Sequence, residues 1–126
     1  MSEDLPATIP IFPLAGVLLL PGGQLPLNIF EPRYLQMVRD AMAGAKLIGM
    51  VQPTDPASRQ FEPPVYPMGC AGRITQFKET PDNRILITLT GERRFTIQEE
   101  LSRTTLYRQV RVSYEPEEAA ETAVDR

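Results

Sequence analysis

Cysteine and histidine, which often supply the nucleophile and the base of an active site, are almost missing from this chain. It has a single cysteine, Cys70, and no histidine among its 126 residues. A Cys–His or Ser–His pair is therefore excluded, as are histidine-containing zinc sites and thiolate clusters. Without a partner base, Cys70 is interpreted as a small core residue. We expect no enzymatic activity, no metal and no cofactor.

A lone carboxylate, Glu31, is embedded in an apolar stretch, where it could act as a general acid or base. It precedes Pro32, which suits the first position of a helix. We therefore interpret Glu31 as a helix N-terminal carboxylate or as the partner of an arginine such as Arg33 or Arg73. The neighbouring "PGG" motif lacks the following Lys-Ser/Thr of a phosphate-binding loop and predicts a turn.

Arginines near the C-terminal end could place a basic face on one sheet. Tyr107, Arg108 and Arg111 are the candidates for contacting single-stranded nucleic acid, with the tyrosine as a stacking ring. Nearby glutamates dilute this charge, and alternating Arg and Gln is also typical of an ordinary solvated strand face. RNA binding through these three residues therefore stays an alternative.

Composition and charge favour one soluble domain. The chain is 42% hydrophobic and 23% charged, and its formal charge is -3. Residues 115–126 hold five acids and one arginine, which leaves 11 acidic and 12 basic residues elsewhere. A nearly neutral body does not attract nucleic acid or an anionic membrane by its net charge. Apolar runs stay well below the roughly 18 residues that span a bilayer, so we expect a cytoplasmic protein without a membrane partner.

The hydrophobic periodicity predicts a mainly β (α+β) domain with one principal helix over about residues 31–43. Strands are expected at residues 8–14, 24–29, 46–52, 70–78 and 84–90, around Phe95 and Ile97, and at residues 106–114. Because Pro10 and Pro13 flank and interrupt the first strand, it is expected to lie at a sheet edge or to contain a bulge. In the last strand one face is expected to carry Leu106, Val110, Val112 and Tyr114, and the other Tyr107, Gln109, Arg111 and Ser113.

The stretch from residue 17 to residue 30 contains eight large apolar side chains. Leaving all of them exposed would forgo about 12 to 24 kcal/mol of burial, against a net stability of about 5 to 15 kcal/mol for a typical domain. Most must therefore be core, and alternation places Leu25, Leu27 and Ile29 on one buried side. The candidates for an exposed apolar patch are Leu18, Leu20 and Phe30.

Three blocks carry a family resemblance: "IPIFPLAGVLLLPGGQLPLNIFEPRY", "GCAGRITQF" and "ITLTGERRF". Together they resemble the N-terminal substrate-binding domain of the Lon (La) ATP-dependent proteases, in particular the small bacterial proteins made of that domain alone. The resemblance covers roughly residues 9–114. It implies a PUA-like pseudobarrel of short strands and a role in recognising unfolded or tagged polypeptides for a separate ATPase and serine-lysine peptidase. The ATPase motifs and the peptidase segment are not in this sequence, so no catalytic residue is carried over.

The chain is divided into an N-terminal extension (1–7), a Lon N-terminal-like β domain (8–114) and an acidic tail (115–126). The tail stands where the family's helical portion would begin, so we expect a truncation or a minimal version, and favour truncation. A tail without its packing partner is expected to be disordered or a frayed helix.

Three functions stay open. The first is a non-enzymatic polypeptide-binding module that uses the Leu18, Leu20 and Phe30 patch or an exposed strand edge such as the first strand. The second is the RNA-binding alternative. In the third, the domain only holds a partner protein or its own helical portion in place. The sequence does not identify the bound polypeptide or the oligomeric state.

Overall fold

The computed structural model describes residues 5–116, which form six strands and one helix. In chain order these are β1 (Thr8–Pro13), β2 (Gln24–Ile29), α1 (Pro32–Ala43), β3 (Leu47–Val51), β4 (Met68–Glu79), β5 (Ile85–Glu100) and β6 (Gln109–Tyr114). The predicted mainly β architecture with a single helix is confirmed. Within the described range, no helix has the length and apolar character needed to cross a membrane.

The strands close into a small barrel because β5 is long enough to pair with three neighbours. Its first part pairs with β2 and β4, and its last part pairs with β6. The sheet order β2-β5-β4-β3-β1-β6, with the additional β5–β6 pairing, makes a ring of β1, β3, β4, β5 and β6. Within residues 5–116, strand β2 pairs with β5 alone and lies at the edge of the barrel.

The expectation that β1 lies at a sheet edge is wrong. Its first half pairs antiparallel with β6 and its second half pairs parallel with β3. The Ile11 N–H bonds to the Arg108 carbonyl, whereas the Leu14 N–H bonds to the Val51 carbonyl. Main-chain direction alternates along a strand, so the Pro10 nitrogen points toward β3 and the Pro13 nitrogen points toward β6. Pro10 is paired with β6 and Pro13 with β3, so neither proline nitrogen lies where a strand–strand hydrogen bond would form.

The two strands expected on either side of Gly91 are one continuous strand, β5. A Cβ at Gly91 would lie 2.1 Å from the carbonyl oxygen of Leu20. The glycine therefore leaves room for a crossing main chain and does not end the strand.

The last strand begins later than expected, at Gln109 instead of Leu106. Leu106 is 57% exposed and Tyr107 is buried, which reverses the predicted faces at these two positions. The Thr105 hydroxyl bonds to the Tyr107 carbonyl in a bend before the strand, so alternation has not yet begun there. Beyond the bend the predicted alternation is confirmed, because Val110 and Val112 are buried.

Two cores lie on opposite faces of the barrel strands. The barrel interior centres on Phe95, which is fully buried, and a Cβ at Gly49 or Gly69 would lie 2.9 Å from its ring. The second core lies under α1. The residues of the first core are Ile9, Ile11, Leu47, Val51, Ala71, Phe95, Val110 and Val112. Residues of the second include Phe12, Leu19, Ile29, Tyr34, Leu35, Val38, Ile48, Ile85, Ile87 and Leu89.

Helix α1 begins at Pro32, as predicted, and Gly44 follows its last residue. Glu31 occupies the N-cap position but its side chain makes no capping hydrogen bond. Its carboxylate instead pairs with the Arg33 Nε at 3.2 Å, so the interpretation of Glu31 as an arginine's partner is confirmed.

Residues before β1 contact the barrel. The Tyr114 hydroxyl donates to the Pro6 carbonyl at 2.7 Å, and the Val112 N–H donates to the Ala7 carbonyl at 2.8 Å. At the other end, the Glu115 N–H bonds to the Arg94 carbonyl. Most of the expected acidic tail, residues 117–126, lies outside the described residues, so the domain boundaries stay predictions.

Candidate functional site

An open groove of about 290 Å³ lies beside residues 17–20, which lead from β1 toward β2. Four exposed apolar or aromatic side chains line it: Leu18, Leu20, Tyr66 and Met68. Buried side chains, including those of Met50 and Cys70, complete the lining. One charged residue, Arg94, also lines this groove. Among the described residues the groove is thus mainly apolar, and Arg94 is its cationic group.

The three consecutive leucines beside the groove alternate between surface and core. Leu18 is 71% exposed, Leu19 is 5% exposed and Leu20 is 46% exposed. Leu19 packs into the core so closely that a Cβ at Gly72 would lie 2.8 Å from its Cδ2 atom. Burial of Leu19 therefore holds its two neighbours outward. The predicted exposure of Leu18 and Leu20 is confirmed.

The turn that follows these leucines holds the wall of the groove in place. Gly22 has φ +81°, a conformation that suits glycine, and the Gly23 N–H bonds to the Leu20 carbonyl at 2.8 Å. The Gly22 N–H also bonds to the Gly91 carbonyl on β5 at 2.9 Å. At the other end of the segment, the Gln52 Nε2 donates to the Val17 carbonyl at 3.0 Å. The "PGG" motif therefore forms the predicted turn.

Phe30 is exposed, as predicted, but the structure does not place it on the same groove as the leucines. Its side chain is 61% exposed and lines a separate cavity of about 170 Å³. This second cavity is also lined by Phe12, Leu14 and Tyr34. The predicted patch is thus divided between two cavities, one with Leu18 and Leu20 and one with Phe30.

Sequence reasoning missed Tyr66 and Met68 as groove residues. They are 52% and 53% exposed. Met68 begins β4 two residues before the predicted start at Cys70, and Tyr66 lies in the irregular segment before it. Only the packing of this segment beside residues 17–20 brings the two side chains to the groove, and no local pattern indicates it.

The proline-rich loop at residues 53–64 is held by arginines. The Arg33 guanidinium carbon lies 3.8 Å from the Phe61 ring centroid and 4.7 Å from that of Tyr34. Its Nη1 donates to the Phe61 carbonyl at 2.7 Å. Arg103 pairs with Glu62 in the same loop. The loop is therefore fixed to the start of α1, although its residues are mostly exposed.

The three residues of the RNA-binding alternative are engaged in contacts within the protein. Tyr107 is 6% exposed and donates its hydroxyl to Asp40, so the expectation of a surface stacking ring is wrong at this position. Arg108 is 9% exposed, and Arg111 is half-exposed and pairs with Glu99. RNA binding stays a prediction from the sequence. Two of the three residues proposed for it, Tyr107 and Arg108, are buried.

Burial also sets the chemistry of Cys70, which is 3% exposed. It raises the pKa of the thiol from 9.0 to about 11, which makes the reactive thiolate form still rarer at neutral pH. The interpretation of Cys70 as a core residue is confirmed. Across residues 5–116, the structure contains no cluster of three or more His, Cys, Asp or Glu side chains suited to a metal ion.

Comparison with protein-family models matches residues 8–126 to the ATP-dependent protease La (LON) substrate-binding domain. The chain is 31% identical over 102 residues to the Lon protease of Flavobacterium johnsoniae, a match that covers 80% of this chain and 12% of that protein. It is 30% identical over 98 residues to the Lon protease of Dictyoglomus thermophilum, covering 78% and 12%. The matched region is thus about one eighth of the length of these proteases.

Solved structures show the same fold. The Lon N-terminal domain protein from Xanthomonas campestris superposes with a TM-score of 0.70 at 32% identity, covering 86% of this chain and 60% of that one. The N-terminal domain of the Mycobacterium avium complex Lon protease gives a TM-score of 0.67 at 19% identity, covering 87% and 55%. At that identity the second likeness concerns the fold alone. The family match over residues 8–126 is decisive, and the chain belongs to the ATP-dependent protease La (LON) substrate-binding domain family.

Proposed function

We propose that this chain is a non-enzymatic module that binds unfolded polypeptide in the groove beside residues 17–20. The observation that carries the proposal is the exposure of Leu18, Leu20, Tyr66 and Met68 around one cavity. Grouped exposed apolar side chains mark interaction surfaces more often than isolated ones do. The family match supports this class of ligand, because the matching model describes a substrate-binding domain of a protease.

The size of the groove favours side chains over a whole cofactor. Its volume of about 290 Å³ lies just below the range of about 300 to 1,000 Å³ for small-molecule pockets. An unfolded polypeptide presents apolar side chains that a folded protein buries. Each such side chain gains roughly 1.5 to 3 kcal/mol on full burial, so a few contacts suffice for weak, reversible binding.

A binding role without catalysis is supported by the chemistry of the described residues. Cys70 is buried and protonated, and the chain has no histidine to act as a base. The chain matches 12% of the length of the Flavobacterium johnsoniae protease, and the family model that matches residues 8–126 describes a substrate-binding domain. We assign any peptidase step to residues outside this domain.

The test is a titration of the ¹⁵N-labelled protein with reduced, carboxymethylated α-lactalbumin, a permanently unfolded polypeptide, followed by NMR. The proposal predicts shifts at the amides of residues 17–20 and 66–70, and none with natively folded α-lactalbumin. An absence of shifts with the unfolded form would overturn it. A parallel titration with single-stranded RNA tests the alternative function, RNA binding. That function requires NMR shifts around residues 107–111 that weaken as the salt concentration rises.

A further inference from the structure

Strand β2 (Gln24–Ile29) is the only strand in residues 5–116 that pairs along one side alone. All of its six residues pair with residues 85–90 of β5. An edge of this kind presents main-chain donors and acceptors to which another strand can add. The strand edge that the sequence placed at β1 is therefore found at β2.

The direction of the free main-chain groups follows from neighbouring hydrogen bonds. The Gly91 N–H bonds to the Gly23 carbonyl, so Gly91 faces β2. Three residues earlier, the Thr88 carbonyl accepts from the Thr75 hydroxyl on β4 and so faces away from β2. Because main-chain direction alternates along a strand, the β2 residues opposite Ile85, Ile87 and Leu89 bond to β5. The alternate residues of β2 point toward the free edge; these are Gln24, Pro26 and Asn28.

We propose that an extended segment of unfolded polypeptide adds to the free edge of β2 as a further strand. This inference rests on the proposed function and adds a second contact for the same polypeptide, at β2, to the groove beside residues 17–20. The edge offers three carbonyl acceptors, at Gln24, Pro26 and Asn28, but only two N–H donors, because proline has none. Pairing through main-chain groups requires no particular side chain, so it suits a domain that binds many unfolded sequences.

Cavities on both faces of the sheet adjoin this edge. The cavity that contains Phe30 is also lined by Leu27 and by Leu14 after the end of β1. On the outer face, a cavity of about 470 Å³ is lined by Pro26, Asn28 and Leu86, among others. Successive side chains of an added strand point to opposite faces, so alternate side chains would enter one cavity or the other. Phe30 thereby gains a role distinct from that of Leu18 and Leu20.

Pro26 favours a foreign strand over a second copy of this chain. In a two-fold symmetric pairing of β2 with β2, each copy contributes its own Pro26, so two N–H donors are missing from the new ladder. A foreign strand without proline meets only one missing donor. The single proline thus disfavours self-association at this edge while leaving it open to other polypeptides.

Three substitutions at the edge provide the test. Asn28→Pro removes one edge donor, and its matched control Asn28→Ala removes the side chain but keeps the N–H. Pro26→Ala adds the missing donor. The affinity of each variant for fluorescein-labelled, carboxymethylated α-lactalbumin is measured by anisotropy. One hydrogen bond corresponds to roughly a two- to tenfold change. We expect Asn28→Pro to bind that much more weakly, Pro26→Ala that much more tightly, and Asn28→Ala to remain within about twofold.

Amide hydrogen exchange of the unmodified protein gives an independent readout. The Gln24 and Asn28 amides should exchange rapidly in the free protein and slowly in the complex, whereas those of Leu25 and Leu27 should be protected in both. If Asn28→Pro does not fold, the hydrogen-exchange measurement and the affinity of Pro26→Ala still test the added strand. Wild-type binding with unchanged exchange and unchanged Pro26→Ala affinity overturns the added strand but leaves the proposed function standing. An absence of wild-type binding overturns both.

Discussion

The guanidinium of Arg108 and the carboxylate of Glu100 form a bidentate ion pair, with Nε to Oε2 at 2.9 Å and Nη2 to Oε1 at 3.0 Å. The remaining nitrogen, Nη1, donates to the Pro63 carbonyl at 2.8 Å. One nearly buried side chain thus joins the end of β5, the approach to β6 and the loop at residues 53–64. The guanidinium of Arg108 is therefore occupied by contacts within the protein and is nearly buried.

Replacing Arg108 should cost far more stability than replacing Arg111. Arg108→Ala removes three hydrogen bonds and leaves a partly buried acceptor, so we expect a loss of about 2 to 3 kcal/mol in the free energy of unfolding. Arg111 pairs with Glu99 through side chains that are 50% and 57% exposed. Arg111→Ala should therefore cost less than about 1 kcal/mol. Urea unfolding measures both, and equal losses would contradict the role assigned to Arg108.

Adding a methyl group at Gly91 should disturb the wall of the groove. The new Cβ would lie 2.1 Å from the Leu20 carbonyl oxygen, so Gly91→Ala must displace that main chain, at a cost of about 1 to 3 kcal/mol. Gly44→Ala is the control, since its nearest contact would be 3.6 Å away. NMR shifts of residues 17–20 should change in the first variant only. A Gly91→Ala protein with unchanged shifts and stability would show that Leu20 is not held against β5.

Stability should fall at alkaline pH, beginning near pH 9. Burial raises the pKa of the Cys70 thiol from 9.0 to about 11 and that of the Tyr114 hydroxyl from 10.0 to about 12. Both groups hold their protons more tightly in the folded state, so their contribution is complete below the unfolded pKa and is lost as pH rises through the folded one. Cys70→Ala should remove the part of the decline between about pH 9 and 11. Urea unfolding against pH checks this, and a decline that starts at the same pH in Cys70→Ala would assign it to other groups.

Removing Arg33 should release the loop at residues 53–64. Arg33 stacks on Phe61 and donates to its carbonyl, whereas Arg39 forms an exposed ion pair with Glu79 at 3.8 Å and has no contact with the loop among the described residues. Arg33→Ala should therefore speed tryptic cleavage after Arg59, an exposed loop residue, while Arg39→Ala should not. Limited trypsin digestion followed by mass spectrometry measures the rate. Equal rates in the two variants would mean that Arg33 does not restrain the loop.

Local sequence patterns correctly predicted the ends of the helix and the buried side of a strand, because neighbouring residues determine both. Pro32 and Gly44 marked the ends of α1, and alternation gave the buried side of β2. The errors lie where distant main chain decides the outcome. Gly91 is read locally as a strand break but serves to admit the Leu20 carbonyl. The β1 prolines indicate an edge strand, but one half of β1 pairs with β6 and the other half pairs with β3. This pairing results from closure of the barrel, which local sequence patterns do not predict.

The candidate site was partly predictable for the same reason. The surplus of apolar residues at 17–30 exceeded what local alternation could bury, which correctly indicated exposure at Leu18, Leu20 and Phe30. Which of them share a groove depends on how residues 17–20 cross the barrel. The contribution of Tyr66 and Met68, and the separation of Phe30, follow only from that crossing.

The affinity of the Leu18→Gln/Leu20→Gln double variant for carboxymethylated α-lactalbumin tests the central claim most directly. Leu106→Gln is the matched control, because Leu106 is also exposed but does not line the groove. Both leucines are already exposed, so neither variant should lose more than about 0.5 kcal/mol of stability. We predict binding weakened by at least about tenfold in the double variant, as expected for about 1.4 kcal/mol of lost contact, and unchanged in Leu106→Gln. Equal affinities in all three proteins would contradict the assignment of the groove as the polypeptide-binding site.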